Sequence, residues 1–512
     1  MRGFARLTGW RRAVVVLLLG ATLPLVHPPV SLLPAIFIAI PAAFVLFMGA
    51  ETPRRAAYDG WLLGFGYFTP GLIWIGSAFF VEADKFAWMT PFAVTLLPAV
   101  LSIYWGLAFG LAKRLGGSGL LSNMCLLAAF WSIAEYLRGH LFTGFPWGLF
   151  AYGWVDTPIA QIAAYVGPYG LTALLIFVFL GFGAGVWAQG RERWALSGSA
   201  AVILIAMAVV GWARLPSEPA PATSAVARIV QPNVPQTEKW RSDLIRRNMR
   251  WLVDLSASPV EPTLSPTFVV WPETSVVPQV LQDPSILAEI MGFLPGDAPL
   301  VVGTQRPEQG RNGGEDWYNS LFVVNEAGSI DAIYDKHHLV PFGEYLPLQG
   351  WLESIGVNQL AGRSGGFASG PGPQVVSAPG VPSFGALICY EAVFPGEMPR
   401  GDARPSMLLQ ITNDAWFGDS GGPWQHLIQA QFRAIEQGLP FIRSANTGVS
   451  AAIDPYGRVL KLLPINHRGF IDVAVPAPIS ETAYVSYRDT SFVVILSLFA
   501  VTAGFSRFTS RL

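Results

Sequence analysis

The chain reads as a polytopic α-helical membrane bundle of about eight transmembrane helices carrying one extracytoplasmic α/β domain. Three observations predict this. The 512 residues are 52% hydrophobic and only 13% charged, whereas roughly 25% charged is usual for soluble domains. The apolar residues gather in long runs towards the two ends of the chain. Between them, over residues 217–488, no run reaches spanning length, and short β-rich runs alternate with amphipathic stretches.

The apolar runs come in a clear order: 13–26 and 30–48, joined by His27-Pro28-Pro29, then 60–81, 91–111, 120–137, 159–187 and 194–212, and last 491–505. A spanning helix needs about 20 apolar residues, so the first and last runs are short. Arg2, Arg6, Arg11 and Arg12 ahead of an apolar run also fit a secretory signal. No small-residue cleavage site precedes His27-Pro28, however, and a second span follows at once, so an uncleaved first helix is expected. Arg54/Arg55, Lys113/Arg114, Arg191/Arg193 and Arg507/Arg511 all fall on the side of the N-terminus if every run crosses once. The opposite short loops carry only Lys85 and Arg138. Cytoplasmic loops carry the excess of Lys and Arg, which places both termini in the cytoplasm of a bacterial inner-membrane protein and the large block in the periplasm. The expected organisation is a seven-helix bundle over 1–215, an extracytoplasmic domain over 216–488, and a final helix with its tail over 489–512.

Leu215-Pro216-Ser217-Glu218-Pro219-Ala220-Pro221 is a Pro-rich linker into the soluble block. Strands are expected at 226–230, 267–271, 300–303, 320–324, 332–334, 385–389, 407–412, 451–453 and 470–473. Helices are expected at 238–255, where Trp240, Leu244, Met249 and Leu252 recur at helical spacing, and at 424–437. Mixed β/α order with many strands suggests sheets packed on each other and covered by helices.

A net charge of −1 gives no argument for nucleic acid. Two cysteines exclude a disulfide framework, and no CxxC or paired Cys/His spacing suggests zinc. Cys125 lies within an apolar helix and reads as inert. Cys389 is the only cysteine of the soluble block and ends the apolar run Phe384-Gly385-Ala386-Leu387-Ile388. An unpaired thiol in an oxidising compartment is a liability, so a nucleophilic role competes with ordinary burial. Glu273, after Phe268-Val269-Val270-Trp271-Pro272, and Lys336, after Ile333-Tyr334-Asp335, also stand at strand ends. A carboxylate as base, an ammonium holding an oxyanion and a thiol would form a nucleophilic site. The same Glu273 and Lys336 also read as a structural ion pair at a sheet edge.

At these positions the sequence resembles the carbon–nitrogen hydrolase (nitrilase) superfamily, whose Glu, Lys and Cys occur in this chain order, and within it the membrane-embedded apolipoprotein N-acyltransferases. The motifs are Gln231-Pro232-Asn233-Val234-Pro235-Gln236, Trp271-Pro272-Glu273-Thr274, Tyr318-Asn319-Ser320, the stretch from Tyr334-Asp335-Lys336-His337-His338 through Val340-Pro341-Phe342-Gly343-Glu344-Tyr345, Cys389-Tyr390-Glu391, Thr412-Asn413-Asp414-Ala415-Trp416-Phe417-Gly418 and Arg443-Ser444-Ala445-Asn446-Thr447-Gly448. Gly144-Phe145-Pro146-Trp147 resembles the family's membrane portion. The resemblance implies a nitrilase-like αββα sandwich with Glu273 as base, Lys336 as intermediate stabiliser and Cys389 as nucleophile. Glu344, Asn319, Tyr390 and Glu391 would support them; Trp240, Trp147 and Trp416 are candidate substrate contacts, with aromatic core packing an equal reading for Trp240 and Trp416. It implies transfer of an acyl chain from a phospholipid, through a Cys389 thioester, to the N-terminal amine of a diacylglyceryl apolipoprotein, by a monomer without cofactor or metal. A membrane-tethered amidase with water as acceptor is the alternative.

Gly418-Asp419-Ser420-Gly421-Gly422-Pro423 imitates the nucleophile loop of trypsin-like proteases, but no histidine stands in a matching context, and a glycine loop before a helix explains it. His337 and His338 are adjacent, so on a strand they would face opposite ways and make a poor metal pair. His426 reads as a hydrogen-bonded structural residue. Glu135 within an apolar run is costly in lipid unless Arg138, one turn along, pairs with it.

Overall fold

The computed structural model describes residues 2–117, 119–259, 264–310, 314–354, 366–398 and 404–509, and Arg511 of the tail lies outside them. The chain divides into two compact units. One comprises Met1–Gly76, Met89–Pro216 and Glu481–Leu512, the other Ser77–Trp88 and Ser217–Ser480.

The first unit is helical. Among the described residues, five helices are long and apolar enough to cross a membrane: Gly9–Val26, Ala83–Leu115, Leu120–His140, Pro158–Trp187 and Gly190–Arg214. Pro53–Gly71 and Ile73–Phe80 together make a sixth, bent by 46°. Leu33–Met48 and Thr490–Ser506 are apolar but shorter. The run 60–81 is therefore two pieces: Pro70 removes a helical donor, and after Gly71 the chain tightens into a 3-10 helix. The run 159–187 is also broken. Gly167, with φ 68° and ψ 176°, kinks the Ala163–Trp187 helix ahead of Pro168, and a Cβ there would lie 2.2 Å from the Tyr484 ring. Both the backbone and the packing demand glycine.

Charges buried in this unit are paired, as an apolar medium requires. Arg12 donates to Asp59 at 2.9 and 2.7 Å and to the Leu46 carbonyl at 2.6 Å. Glu135 bonds Arg138 at 2.5 Å and accepts from Trp105 Nε1 at 2.6 Å. Arg138 also donates to the carbonyls of Phe145 and Trp147, the latter at 2.9 Å. The pair expected at Glu135 thus also fastens the loop carrying Phe145 and Trp147.

The second unit holds two six-stranded sheets. In chain order the strands are β1 Ala222–Gln231, β2 Phe268–Val270, β3 Leu300–Gln309, β4 Glu315–Val324, β5 Ile330–Asp335, β6 Val375–Ala378, β7 Val381–Ile388, β8 Met407–Thr412, β9 Phe441–Ala445, β10 Ser450–Ile453, β11 Val459–Leu463 and β12 Gly469–Pro476. The spatial orders are β12-β1-β2-β3-β4-β5 and β11-β10-β9-β8-β7-β6. Each sheet has a parallel trio, β1-β2-β3 and β7-β8-β9, with antiparallel strands outside it.

Strand alternation sorts the side chains into layers. Phe268 and Val270 of β2 enter the core between the sheets, where they join Ala386, Ile388, Leu409 and Ile411 of β7 and β8. Val269 and Trp271 instead meet Leu252, Leu287 and Ile290 beneath the helices Ile245–Ser256 and Pro284–Met291. Leu387 and Leu408 meet Leu427, Ala430 and Ala434 of the Gly421–Gln437 helix. Helix, sheet, sheet and helix form the αββα sandwich. The helix expected at 238–255 is confined to Ile245–Ser256, because residues 236–244 form turns in which Lys239 alone is buried.

One buried pair closes the first sheet. Arg228 of β1 donates to Asp472 of β12 at 2.8 and 2.7 Å, and to the carbonyls of Ser256 and Ser258. Asp472→Ala leaves that guanidinium buried and half-satisfied, so urea unfolding of the variant is expected to show a loss of about 3–5 kcal/mol.

Candidate active site

Each of the three candidate residues stands where a strand stops. Glu273 follows β2 after Trp271-Pro272, Lys336 follows β5 directly, and Cys389 follows β7 directly. Glu273 and Lys336 come from one sheet, Cys389 from the other. β2 and β7 belong to the parallel trios, and the carboxyl ends of parallel strands are where open α/β sheets present reactive groups. Gly303 of β3 permits the close approach, since a Cβ there would lie 2.8 Å from the Glu273 Cα.

Cys389 has φ +52°, a strained value that lasts only where surrounding contacts fix it. Gln410 Nε2 donates to the Cys389 carbonyl at 2.7 Å, and His426 Nε2 lies 3.1 Å from the same oxygen. Behind them, Gln410 Oε1 accepts from Arg443, Arg443 donates to Asp414 at 2.5 Å, and His426 Nδ1 lies 2.9 Å from Asp414. All four side chains are buried. In front, Glu391 accepts from the Ile388 amide at 2.7 Å through one oxygen. Through the other it accepts from Tyr334 Oη at 2.9 Å and from the amides of His337 and His338 at 2.7 and 3.2 Å. One carboxylate therefore ties the turn bearing Cys389 to the loop bearing Lys336.

Lys336 Nζ lies 2.7 Å from Glu344 Oε2 and 3.8 Å from Glu273 Oε1. Asn319 Nδ2 bridges the two acids, donating to Glu273 Oε1 at 2.7 Å and Glu344 Oε1 at 2.9 Å. The Val340 amide donates to Glu344 Oε2 at 2.8 Å. Burial and then the Glu273 charge push the Cys389 thiol up, with Lys336 opposing, so the resting group is the protonated thiol. Burial likewise raises the Glu273 carboxyl, which Lys336 opposes. Burial alone would lower the Lys336 ammonium, but Glu344, Glu273 and Cys389 reverse this and keep it charged. A protonated thiol, a carboxyl raised towards neutrality and a fixed cation suit thiol activation and oxyanion stabilisation.

The other sequence candidates divide. Tyr390 is buried, its ring edge-on to Phe394 at 5.0 Å. Trp240, 41% exposed, and Trp416, half-buried, belong to the same unit. Trp147 belongs to the other unit, where it is 1% exposed against Trp74. His337 and His338 lie beyond β5, not on a strand, and both meet Glu397, at 3.5 and 2.8 Å. These three groups bring ligand-type atoms within 4.8 Å of one another. Burial opposes its charge, yet Glu391 and Glu397 push His337 up to about 9, so here it is an imidazolium paired with carboxylates. Sequence reasoning missed Lys239, whose Nζ donates to the Glu273 carbonyl at 3.1 Å and to Thr274 Oγ1 at 2.9 Å. It also missed Gln410, and it quoted Asp414 and Arg443 only within motifs, without a role; for Gln410 and Arg443 a polar residue inside an apolar strand was the available signal.

The family model for the apolipoprotein N-acyltransferase N-terminal domain matches residues 19–181, and that for carbon-nitrogen hydrolases matches 227–484. Apolipoprotein N-acyltransferase of Rhodopseudomonas palustris is 41% identical over 508 residues, covering 96% of this chain and 94% of that protein. This chain belongs to the apolipoprotein N-acyltransferase family. The enzyme of that name from Brucella suis is 40% identical, covering 92% of this chain and 91% of the relative. A nitrilase-superfamily amidase from Nesterenkonia is 18% identical, with a TM-score of 0.35, covering 53% of this chain and 97% of that one. In this member of the apolipoprotein N-acyltransferases, the boundary between the two compact units at Pro216 falls between the two matched stretches.

Proposed function

We propose that the protein transfers an acyl chain from a membrane phospholipid to the N-terminal amine of a diacylglyceryl apolipoprotein through a thioester on Cys389. Glu273 takes the Sγ proton as sulfur attacks the ester carbonyl. The tetrahedral oxyanion is held by Lys336. The C–O bond then breaks, the lysophospholipid oxygen receives the proton, and the acyl group stays on sulfur. The acceptor amine next attacks the thioester and gives its proton to Glu273 as the amide forms and the C–S bond breaks, and Glu273 returns that proton to the departing Cys389 sulfur. A thioester stores the acyl group between two lipid-anchored substrates while remaining reactive towards an amine. The observation that carries the reading is the placement of Glu273, Lys336 and Cys389 at the ends of β2, β5 and β7, with Glu391 tying the Cys389 turn to the Lys336 loop, in a chain whose relatives bear this enzyme's name. Glu344 and Asn319 orient Lys336 and Glu273, and Glu391 holds the two loops in register. Trp240, Trp416 and Trp147 are proposed lipid contacts of a monomer.

Mass spectrometry of the purified protein after incubation with phospholipid tests the reading. An acyl adduct on Cys389 that passes to a diacylglyceryl-cysteine peptide is expected, and hydrolysis at the same rate without the peptide would favour the amidase.

The topology proposed alongside is eight crossings in the bacterial inner membrane, with the second unit facing the periplasm. The arginine and lysine bias of the short loops motivates it. A reporter fused after Arg511 should behave as cytoplasmic, and one inserted between Pro216 and Pro221 as periplasmic. The same side for both would show that the last run does not cross and would reject the count of eight.

A further inference from the structure

Lys239 is a buried cation for which the scheme above has no use. Residues 236–240 turn rather than continue into a helix, which draws the side chain inward until it is 7% exposed. Its ammonium has three donors. Two go to the Glu273 carbonyl and Thr274 Oγ1, and no carboxylate lies within ion-pair distance among the described residues. A buried cation without a direct counter-ion is costly. The two groups it bonds form a strained turn, because Thr274, a β-branched residue, has φ +44°. The ionisable groups that act on Lys239 are Glu273 and then Cys389, the proposed base and nucleophile. In return Lys239 favours the ionised form of Glu273.

We propose that Lys239 is a positioning residue for acyl transfer: its two bonds clamp the strained Glu273–Thr274 turn and so hold the Glu273 carboxyl where it can take the Cys389 proton. This rests on Glu273 acting as the base.

The role has a pH signature. Glu273 and Thr274 face Lys239 from the end of β2, Cys389 acts on it from the end of β7, and Trp240 lies beside it with its ring 5.7 Å away. Lys336 and Glu344 act on Glu273 in turn. Burial brings Lys239 down to about 8, against the pull of Glu273 and Cys389. Lys336 and Cys389 are both pushed upward, and above about pH 8 a neutral Lys239 keeps only weaker, uncharged bonds to the Glu273–Thr274 turn.

The test is the rate of Cys389 adduct formation from phospholipid between pH 5 and 10, with melting temperature, for wild type, Lys239→Met and Lys239→Arg. Wild type should slow above about pH 8. Lys239→Met should be slower by roughly 10- to 100-fold at neutral pH, lose the alkaline fall, and show its acid limb displaced to higher pH. Lys239→Arg, charged throughout, should recover part of the rate with no alkaline fall. A folded Lys239→Met with the wild-type rate and profile overturns the proposal, even if its melting temperature drops. If Lys239→Met does not fold, the wild-type and Lys239→Arg profiles decide, and an alkaline fall common to both overturns it. A wild type that forms no Cys389 adduct overturns the thioester reading and this proposal together. An adduct with an unchanged Lys239→Met profile overturns this one alone.

Discussion

Cys389→Ser, incubated with phospholipid, is expected to release no lysophospholipid and to carry no acyl adduct, while Cys125→Ser behaves as wild type. The contrast follows from where the two thiols lie. Cys125 is fully buried in the Leu120–His140 helix with no ionisable group acting on it. Cys389 occupies a strained turn, with Glu273 and Lys336 both acting on its thiol. Serine fits the space, but a hydroxyl is far harder to deprotonate, and a carboxylate is a poor base for it. The expected residual rate is background. Normal turnover by a folded Cys389→Ser protein would remove Cys389 from the mechanism, whatever the fate of the other residues.

Glu273→Gln and Lys336→Met should each slow adduct formation by roughly 10²–10⁴ with phospholipid binding retained. Gln keeps the shape of Glu273 and an acceptor for Asn319 but cannot take a proton. Met keeps most of the length of Lys336 but gives no charge to an oxyanion, whose stabilisation is felt mainly in the transition state. The competing expectation is that the two residues are only an ion pair. The 3.8 Å separation of Lys336 Nζ from Glu273 argues against that, because the ammonium's close partner is Glu344 at 2.7 Å. A structural pair would also lower the melting temperature of both variants and leave the rate of any folded enzyme intact. Single-turnover acylation measured beside thermal unfolding separates the two, and unchanged kinetics in either folded variant would reject catalysis by that residue.

The sequence made the strand ends legible because an apolar run that stops at a charged or nucleophilic residue needs no knowledge of tertiary structure. Glu273, Lys336 and Cys389 were visible for that reason. Asn319 sits inside an apolar strand, and only the fold shows that its amide bridges Glu273 and Glu344. Lys239 was hidden by a false helix: Trp240 and Leu244 extend the apolar periodicity of Ile245–Ser256 backwards, so Lys239 fell within the expected helix and was not singled out. β9 was missed because Arg443 interrupts Phe441-Ile442, and a buried arginine in a strand makes sense only once Asp414 and Gln410 surround it. β6 and β11 lie at or next to sheet edges, are short and partly exposed, and give weak alternation. His337 and His338 defeated the alternation rule because β5 had already ended.

The division of the reactive groups between two sheets carries a mechanical consequence. Glu273 and Lys336 travel with one slab of the sandwich and Cys389 with the other, and the apolar seam joining them contains Val270, Val301, Leu409 and Ile442. The spacing of the proposed base and nucleophile is therefore a property of that seam as much as of the polar groups. A sliding of one slab by a fraction of an ångström would misalign proton transfer and attack together, and misplacements of about 1 Å can cost 10²-fold in rate. Volume changes at the seam should tune catalysis like a shim under a lens, without altering any residue that meets lipid.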